Sequence, residues 1–134
     1  MFTLHERLAA DTAPVCELAL CAVRLMDDRA FPWLILVPRR EAIREFHQLA
    51  PAERQLLMEE IVLAERVLES EFRPDKLNVG ALGNLVPQLH IHVIARRTTD
   101  RAWPGPAWGS GSALPYAPAE RASLVERLAK AFGS

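Results

Sequence analysis

The segment Gln88-Leu89-His90-Ile91-His92-Val93-Ile94-Ala95-Arg96 decides the interpretation of this chain. If residues 88–94 form a strand, the alternation of side chains puts Gln88, His90 and His92 on one face. The opposite face then carries only apolar side chains, namely Leu89, Ile91 and Val93. A sheet core does not need two imidazoles and an amide, and the whole chain has only four histidines. The pattern indicates one core face and one face available for chemistry.

Apolar runs elsewhere predict four further strands. The run Trp33-Leu34-Ile35-Leu36-Val37 is continuously apolar and ends at Pro38, which predicts a central strand covered on both faces. Patterns typical of strands also occur over residues 15–20, 21–26 and 76–82. With the strand predicted at 89–95, the sheet has about five strands.

Helical periodicity predicts one long helix. Pro51 suits a first helical position, and Glu53 lies in the first turn, where an acidic side chain is favoured. Apolar side chains then recur with the spacing of a single helical face, at Leu57, Ile61, Ala64, Leu68 and Phe72. This stripe predicts a helix of roughly twenty residues with one buried face.

Several short helices complete the predicted fold. The pattern Thr3-x-x-Glu6 predicts a capping box and a helix over residues 4–10, and a second short helix is predicted at 39–47. Residues 97–118 are rich in Pro, Gly, Ser and Trp and predict a long ordered loop, after which Pro118 opens a final helix. The sum is an α+β fold with a mostly antiparallel sheet.

Length, charge and cysteine content narrow the class of protein. The 134 residues fit a single domain, 1–134, and half of them are hydrophobic. A net charge of −1 gives no general attraction to nucleic acid polymers or anionic membranes. The longest apolar run is too short to span a membrane, and the N-terminus has no apolar signal core. Cys16 and Cys21 are too few for a disulfide framework, so we expect a cytoplasmic protein.

Two other interpretations of His90 and His92 stay open at this point. One treats them as satisfied polar groups on a half-exposed strand. The other is a metal site, because a His-x-His strand aims two imidazoles at one point. A metal needs a third ligand, and the next acid along the chain is Asp100, beyond Arg96 and Arg97. The pattern therefore favours a nucleophile, with no metal and no cofactor expected.

The order of these motifs resembles the histidine triad (HIT) family. The family pattern is His-x-His-x-His followed by two apolar residues, and here Gln88 stands in place of the first histidine. Upstream, Trp33-Leu34-Ile35-Leu36-Val37-Pro38-Arg39 is similar to the family strand of the type Leu-Val-x-Pro-Lys. The resemblance covers about residues 15–100 and leaves 101–134 as a C-terminal loop and helix. It implies a HIT-like fold in a divergent branch of bacterial type.

The resemblance implies a nucleotide hydrolase or transferase. In the family, the middle histidine attacks the α-phosphorus of a nucleotide, and the nucleotidyl-histidine is then hydrolysed. By position the nucleophile is His90, and His92 would hydrogen-bond the phosphoryl oxygens. The backbone carbonyl of Gln88 would accept a hydrogen bond from the other ring nitrogen of His90. Dinucleoside polyphosphates, nucleoside phosphoesters and phosphoramidates are the substrates that the resemblance suggests.

Three further polar residues become candidate substrate contacts. Asn84 stands at the family's loop glutamine and would donate an amide N–H to the phosphate. Asn78 matches a position upstream of the triad where the family carries an amide side chain. The equal alternative is that Asn78 is simply a polar residue at the end of a strand. Asp27 would bind the ribose. The alternative, for both Asp27 and Asp28, is that the residue only forms a turn. Arg96 is expected to be exposed.

Two departures from the family pattern affect the functional prediction. Leu85 stands where phosphoramidase-type relatives carry a serine that assists the leaving group, and Trp33 stands where many members carry a histidine. A nucleotide-binding or sensing module with little catalysis is therefore one alternative, and a His-x-His metal protein is a second. Trp103 and Trp108 would line a base pocket, make a subunit contact or pack on the sheet. The resemblance also implies a homodimer formed through the long helix and the neighbouring sheet.

Overall fold

Five antiparallel strands form one sheet in the structure, a computed structural model that describes residues 1–133. The strands are β1 Thr12–Glu17, β2 Cys21–Met26, β3 Trp33–Pro38, β4 Lys76–Gly80 and β5 Ile91–Arg96. Their order across the sheet is β1-β2-β3-β5-β4, and each neighbouring pair is antiparallel. All six residues of the central strand β3 are buried, which confirms the prediction from its apolar run.

Within these residues, one long helix and two shorter helices accompany the sheet. They are α1 Glu6–Asp11, α2 Pro51–Phe72 and α3 Pro118–Ala131, with a 3-10 turn at Phe46–Gln48. The 22-residue α2 buries the predicted apolar stripe and ends at Arg73, whose φ of 47° is left-handed. The predicted α+β architecture is confirmed. Across residues 1–133, no helix combines the length and the apolarity needed to cross a membrane.

The sheet buries a different set of side chains on each face. One face packs against α2 and α3 and includes Leu34, Leu36, Ile91 and Val93. The other face packs against α1, the N-terminal segment and the C-terminal loop and includes Trp33, Ile35, Val37 and Ile94. His92 lies on this second face, since it pairs directly with Ile35 across β3 and β5.

A buried carboxylate of α2 holds the turn between β1 and β2. Glu60 is 5% exposed and accepts hydrogen bonds from the backbone N–H groups of Leu20, at 2.9 Å, and Cys21, at 2.8 Å. These two bonds provide hydrogen-bond partners both for the backbone N–H groups of the turn and for the buried carboxylate. Burial and the nearby Glu60 raise the pKa of the Cys21 thiol, so this cysteine is an unreactive core side chain at neutral pH.

The helix predicted over residues 39–47 is wrong. This segment is irregular, and only the 3-10 turn at Phe46–Gln48 is helical. The side-chain oxygen of Gln48 accepts hydrogen bonds from the two backbone N–H groups that precede the turn, which closes a local loop instead of a helix. Ala42 has a φ of 57°, a conformation that a right-handed helix does not contain.

The start of α1 also differs from the prediction. The helix begins at Glu6 with His5 as its N-cap, because Nδ1 of His5 accepts the backbone N–H of Arg7 at 3.0 Å. The predicted capping box from Thr3 to Glu6 is therefore wrong. The backbone carbonyl of Thr3 instead accepts a hydrogen bond from the side chain of Gln88.

Several strand boundaries differ from the predicted ones. β1 starts at Thr12 and includes Pro14, which an edge strand tolerates, and its register shifts between Pro14 and Cys16. β4 ends at Gly80 and β5 begins at Ile91. Residues 81–90 between them therefore form a loop, and this loop carries most of the candidate site.

Candidate active site

His90 and His92 line one cavity on the second face of the sheet. His90 immediately precedes β5, and His92 is the second residue of that strand. Their ring centroids are 5.0 Å apart, and the residues are 7% and 6% exposed. The cavity has a volume of about 360 Å³, and its other lining residues are Leu82, Gly83, Asn84, Leu85, Val86 and Trp108. The two predicted histidines are thus brought together at an opening in the size range of small-molecule sites.

The ring of His90 is oriented by the chain just before it. Nδ1 of His90 lies 2.7 Å from the backbone carbonyl oxygen of Gln88. A carbonyl oxygen only accepts, so Nδ1 carries the proton in this contact. In the neutral ring the lone pair is then on Nε2, the nitrogen that a nucleophilic histidine needs.

The ring of His92 is held by an indole. Nε1 of Trp33 donates a hydrogen bond to Nδ1 of His92 at 3.0 Å, and both side chains are buried. Burial, followed by the neighbouring His90, lowers the pKa of His92 to about 4. His92 is therefore neutral near pH 7.

Trp108 supplies a wall of the cavity from the C-terminal loop. Its ring centroid lies 5.4 Å from that of His92 and 6.5 Å from that of Trp33, edge-on in both cases. The indole lies against Gly80, where an added Cβ would be 3.0 Å from the Cη2 atom of Trp108. Trp103 lies elsewhere, with the Arg96 guanidinium 5.7 Å from its ring centroid. Of the two loop tryptophans, only Trp108 lines this cavity.

The side chain of Gln88 does not share the face of the two histidines. Residues 88–90 precede β5, so the alternation expected over 88–94 does not extend back to Gln88. Its side-chain oxygen accepts the backbone N–H of His5 at 2.8 Å, and its side-chain nitrogen donates to the carbonyl of Thr3 at 2.9 Å. The expected common face is therefore wrong for Gln88, which reaches His90 through its carbonyl alone.

Asn84 lies in the loop that borders the cavity. It is exposed in the loop between β4 and β5 and lines the cavity together with His90 and His92. Leu85, the next residue, is 81% exposed and also lines the cavity. The loop thus presents the amide of Asn84 together with apolar side chains to the cavity.

Asn78 is used inside the fold and does not line the cavity. Its side-chain oxygen accepts a hydrogen bond from Nη1 of Arg96 at 2.8 Å. Arg96, which was expected to be exposed, is 1% exposed and also pairs with Asp100 at 2.8 Å and with the carbonyl of Gly105 at 2.8 Å. The hydrogen bond from Arg96 is the main reason that the pKa of Asp100 lies far below its usual range. Asn78 thus has a structural contact, and the substrate contact expected of it stays a prediction.

Asp27 also makes its contacts with other parts of the fold. Its carboxylate pairs with Arg121 of α3 at 2.9 Å and accepts the backbone N–H of Tyr116 at 3.0 Å. Asp28 is 3% exposed and pairs with Arg101 at 3.3 Å. Neither aspartate lines the cavity, and the ribose contact expected of Asp27 stays a prediction.

A metal site would need a third ligand beside the two histidines. Among residues 1–133, no three His, Cys, Asp or Glu side chains lie close enough together to hold an ion.

A comparison with known protein families identifies the relationship. The family model described as the HIT domain matches residues 7–99. The chain belongs to the HIT family. Membership supports a function of the nucleotide-binding or nucleotide-hydrolase type.

Three solved structures resemble this HIT protein over nearly its full length. A histidine triad protein from Bradyrhizobium japonicum is 43% identical, with 98% of each chain covered and a TM-score of 0.94. A HIT protein from Sinorhizobium meliloti is 47% identical, with 96% of each chain covered and a TM-score of 0.93. One from Marinobacter aquaeolei is 47% identical, with 99% and 97% covered and a TM-score of 0.96. A search of the curated proteins gave no match.

Two contacts in the site of this HIT protein were not predicted. The hydrogen bond from Trp33 to His92 joins two strands, and the register between such strands cannot be read from one sequence. Trp108 was considered as a pocket residue together with Trp103, and the signal that separates them is Gly80. A glycine inside a predicted strand marks a place where another group approaches closely, and here that group is the Trp108 ring.

Proposed function

We propose that this HIT protein cleaves a nucleotide at its α-phosphorus through a covalent intermediate on His90. The orientation of His90 is the observation that carries this proposal. Its Nδ1 is held 2.7 Å from the carbonyl of Gln88, while the ring lines a cavity of about 360 Å³. In the neutral form of the ring, this arrangement leaves Nε2 as the unprotonated nitrogen.

The reaction proceeds in two displacements. The Nε2 lone pair of His90 attacks the α-phosphorus, the phosphorus bond to the leaving group breaks, and the leaving group departs with the bonding electrons. The ring now carries a positive charge, which the hydrogen bond from Nδ1–H to the Gln88 carbonyl stabilises. Water then attacks the phosphorus, breaks the P–N bond and releases the nucleoside monophosphate, which regenerates His90.

His92 and Asn84 stabilise the phosphoryl oxygens in this scheme. His92 lies beside His90 and is neutral near pH 7, because its pKa is lowered to about 4. A neutral ring retains one N–H that can donate to a phosphoryl oxygen as charge develops. The exposed amide of Asn84, which also lines the cavity, is the second donor.

The decisive experiment combines a substrate screen with chemical trapping. Nucleoside phosphoramidates, aryl phosphoesters and dinucleoside polyphosphates are followed by phosphorus NMR, and acid-quenched protein is examined for a nucleotidyl-histidine. We expect turnover and label in the wild type and neither in His90→Ala. His47→Ala is the matched control, because His47 is an exposed histidine in the 3-10 turn and far along the chain from the site. A His90→Ala variant with full turnover would refute the assignment.

A nucleotide-binding module with little catalysis is the second candidate. The observation in its favour is Leu85, whose side chain is apolar and 81% exposed at the cavity. A leucine has no hydroxyl to assist a leaving group. This candidate predicts nucleotide affinity, measured by calorimetry, with no covalent label on His90.

We also propose that this HIT protein is a cytoplasmic homodimer. β4 is an edge strand of the sheet, and its Val79 is 43% exposed. The neighbouring α2 exposes Met58 at 58% and Leu63 at 36%. An unpaired edge and exposed apolar side chains on adjacent elements favour burial against a second copy. The location is proposed because Cys21 is a buried thiol, as a reducing compartment permits.

A further inference from the structure

The contact between Trp33 and His92 decides which nitrogen of His92 faces the substrate. Nε1 of Trp33 donates to Nδ1 of His92 at 3.0 Å, and the two residues are 7% and 6% exposed. We infer that Trp33 is a positioning residue that fixes His92 as its neutral Nε2–H tautomer, a constant hydrogen-bond donor to the phosphoryl group. This inference rests on the proposed function.

The chemistry of the indole sets the direction of this hydrogen bond. The indole nitrogen has one N–H and no acceptor, so it can only donate. Nδ1 of His92 must therefore carry a lone pair, and in a neutral imidazole the single proton is then on Nε2. A doubly protonated His92 would place two N–H groups against each other at 3.0 Å in a buried site.

The other groups around His92 give no support to a charged ring. His90 is the titratable group that faces it, with centroids 5.0 Å apart, and a second positive charge there would be repelled. Trp108 meets the ring edge-on at 5.4 Å, and the residues paired with His92 across the sheet are Ile35 and Gly80. No carboxylate lines the cavity among the described residues. Burial and His90 accordingly lower the pKa of His92 to about 4.

The identity of residue 33 matters because other side chains would not impose this tautomer. A histidine at this position could donate to Nδ1 of His92 or accept from it, since an imidazole has both capacities. The indole of Trp33 can only donate, so it cannot accept a hydrogen bond from Nδ1 of His92. Because the indole has no acceptor, His92 cannot pass a proton to Trp33.

Histidine NMR of the wild-type protein provides the first test. Long-range proton–nitrogen correlation distinguishes protonated from unprotonated ring nitrogens, and His92→Gln assigns the signals. We expect an unprotonated Nδ1 and a protonated Nε2 in His92 at every pH between about 5 and 8. Because this measurement needs neither substrate nor turnover, it is independent of whether the proposed function holds. A wild-type His92 with its proton on Nδ1 would overturn the inference.

A pair of tryptophan variants provides the second test. Trp33→Phe keeps an aromatic ring and removes the N–H, so both His92 tautomers and a raised His92 titration midpoint are expected. Trp108→Phe is the control, because Trp108 also contacts His92 edge-on but its Nε1 makes no hydrogen bond to a described residue. This control should leave the tautomer unchanged.

Turnover supplies the functional readout for the same variants. Trp33→Phe should lower kcat roughly 3- to 10-fold with little change in KM, as expected for one weakened donor in the transition state. Trp33→His restores a ring N–H and should recover part of this loss. An unchanged tautomer and unchanged kcat in folded Trp33→Phe would refute a positioning role. Retained turnover in His90→Ala would instead refute the proposed function and leave the tautomer result intact.

Discussion

The carbonyl oxygen of Gln88 lies 2.7 Å from Nδ1 of His90, whereas the side chain of Gln88 points to the N-terminal segment. Its amide accepts the N–H of His5 at 2.8 Å and donates to the carbonyl of Thr3 at 2.9 Å. This is the pattern of paired bonds that a neighbouring strand would make. The two nitrogens of an imidazole cannot donate and accept side by side in this way. Gln88 therefore holds the N-terminus with its side chain while its backbone orients His90.

Replacing Gln88 by alanine should weaken the fold more than the chemistry. The variant loses both bonds to the N-terminal segment, which should lower the free energy of unfolding by about 1–3 kcal/mol. The backbone carbonyl remains, so nucleotidyl label on His90 should still form. Urea unfolding followed by circular dichroism measures the first effect, and trapping measures the second.

A second variant distinguishes the hydrogen bond that the Gln88 side chain accepts from His5 from the one that it donates to Thr3. Gln88→Glu keeps an acceptor for His5 but places a carboxylate oxygen against the Thr3 carbonyl, so at neutral pH it should be at least as destabilised as Gln88→Ala. The absence of label from a folded Gln88→Ala protein would show that the side chain takes part in the reaction, contrary to this prediction.

The strands around the site were predictable because their signals are local. The run from Trp33 to Val37 is long, apolar and ended by proline, so its burial followed from composition alone. The stripe of α2 has the period of a helix over many turns, and it is buried as predicted. The pairing of His90 with His92 on one face followed from the two-residue repeat of a strand.

The partners of polar side chains could not be predicted, because they depend on contacts between distant segments. Asp27 pairs with Arg121, 94 residues further along the chain, and Gln88 binds Thr3, 85 residues earlier. Asn78 had two equal interpretations, and its hydrogen bond from the buried Arg96 was not among the signals that the sequence offered. One sequence does not show which partner each polar side chain takes, since several aspartates and arginines lie in similar local patterns.

Gly80 is predicted to control the cavity through Trp108. An alanine at position 80 would place its Cβ 3.0 Å from Cη2 of Trp108, so the ring must move. We expect Gly80→Ala to lower kcat/KM roughly tenfold, because small displacements at a binding wall misplace the reacting groups. The free energy of unfolding should change by only about 1 kcal/mol. Steady-state kinetics and urea unfolding measure the two effects.

A double variant tests the cause of this loss. Phenylalanine lacks the Cη2 atom, so Trp108→Phe should relieve the contact with Ala at position 80. The effect of Gly80→Ala on kcat/KM should therefore be smaller in the Trp108→Phe background than in the wild type. Additive effects would mean that Gly80 acts independently of Trp108.

The buried pair of Arg96 and Asp100 predicts how stability depends on pH. The pKa of Asp100 is lowered in the folded protein, mainly by Arg96, so this carboxylate stabilises the fold above its unfolded pKa of about 3.9. The contribution is lost as the pH falls below that value toward the lower folded pKa. Wild-type stability should therefore decrease steeply in acid, measured by urea midpoints at a series of pH values.

Asp100→Asn removes the charge and leaves Arg96 without its ion-pair partner. At neutral pH this variant should be less stable by about 3 kcal/mol, because a buried charge is left partly uncompensated. Its urea midpoint should also fall less steeply than that of the wild type as the pH is lowered. A wild type and variant with parallel pH profiles would contradict the assigned role of Asp100.

The free edge of β4 predicts the oligomeric state. Leu77 and Val79 lie on the face of the sheet toward α2, and Leu77 borders a groove that Val62 and three charged residues of α2 also line. We expect the wild type to sediment as a homodimer and Val79→Lys to shift toward the monomer, since an edge lysine opposes strand pairing.

Leu114→Lys is the control, because Leu114 is 41% exposed but lies away from β4, where its backbone N–H donates to the carboxylate of Asp28. Sedimentation velocity over a range of concentrations measures the shift. A wild type that remains monomeric at all concentrations, or equal shifts in both variants, would refute an interface at β4.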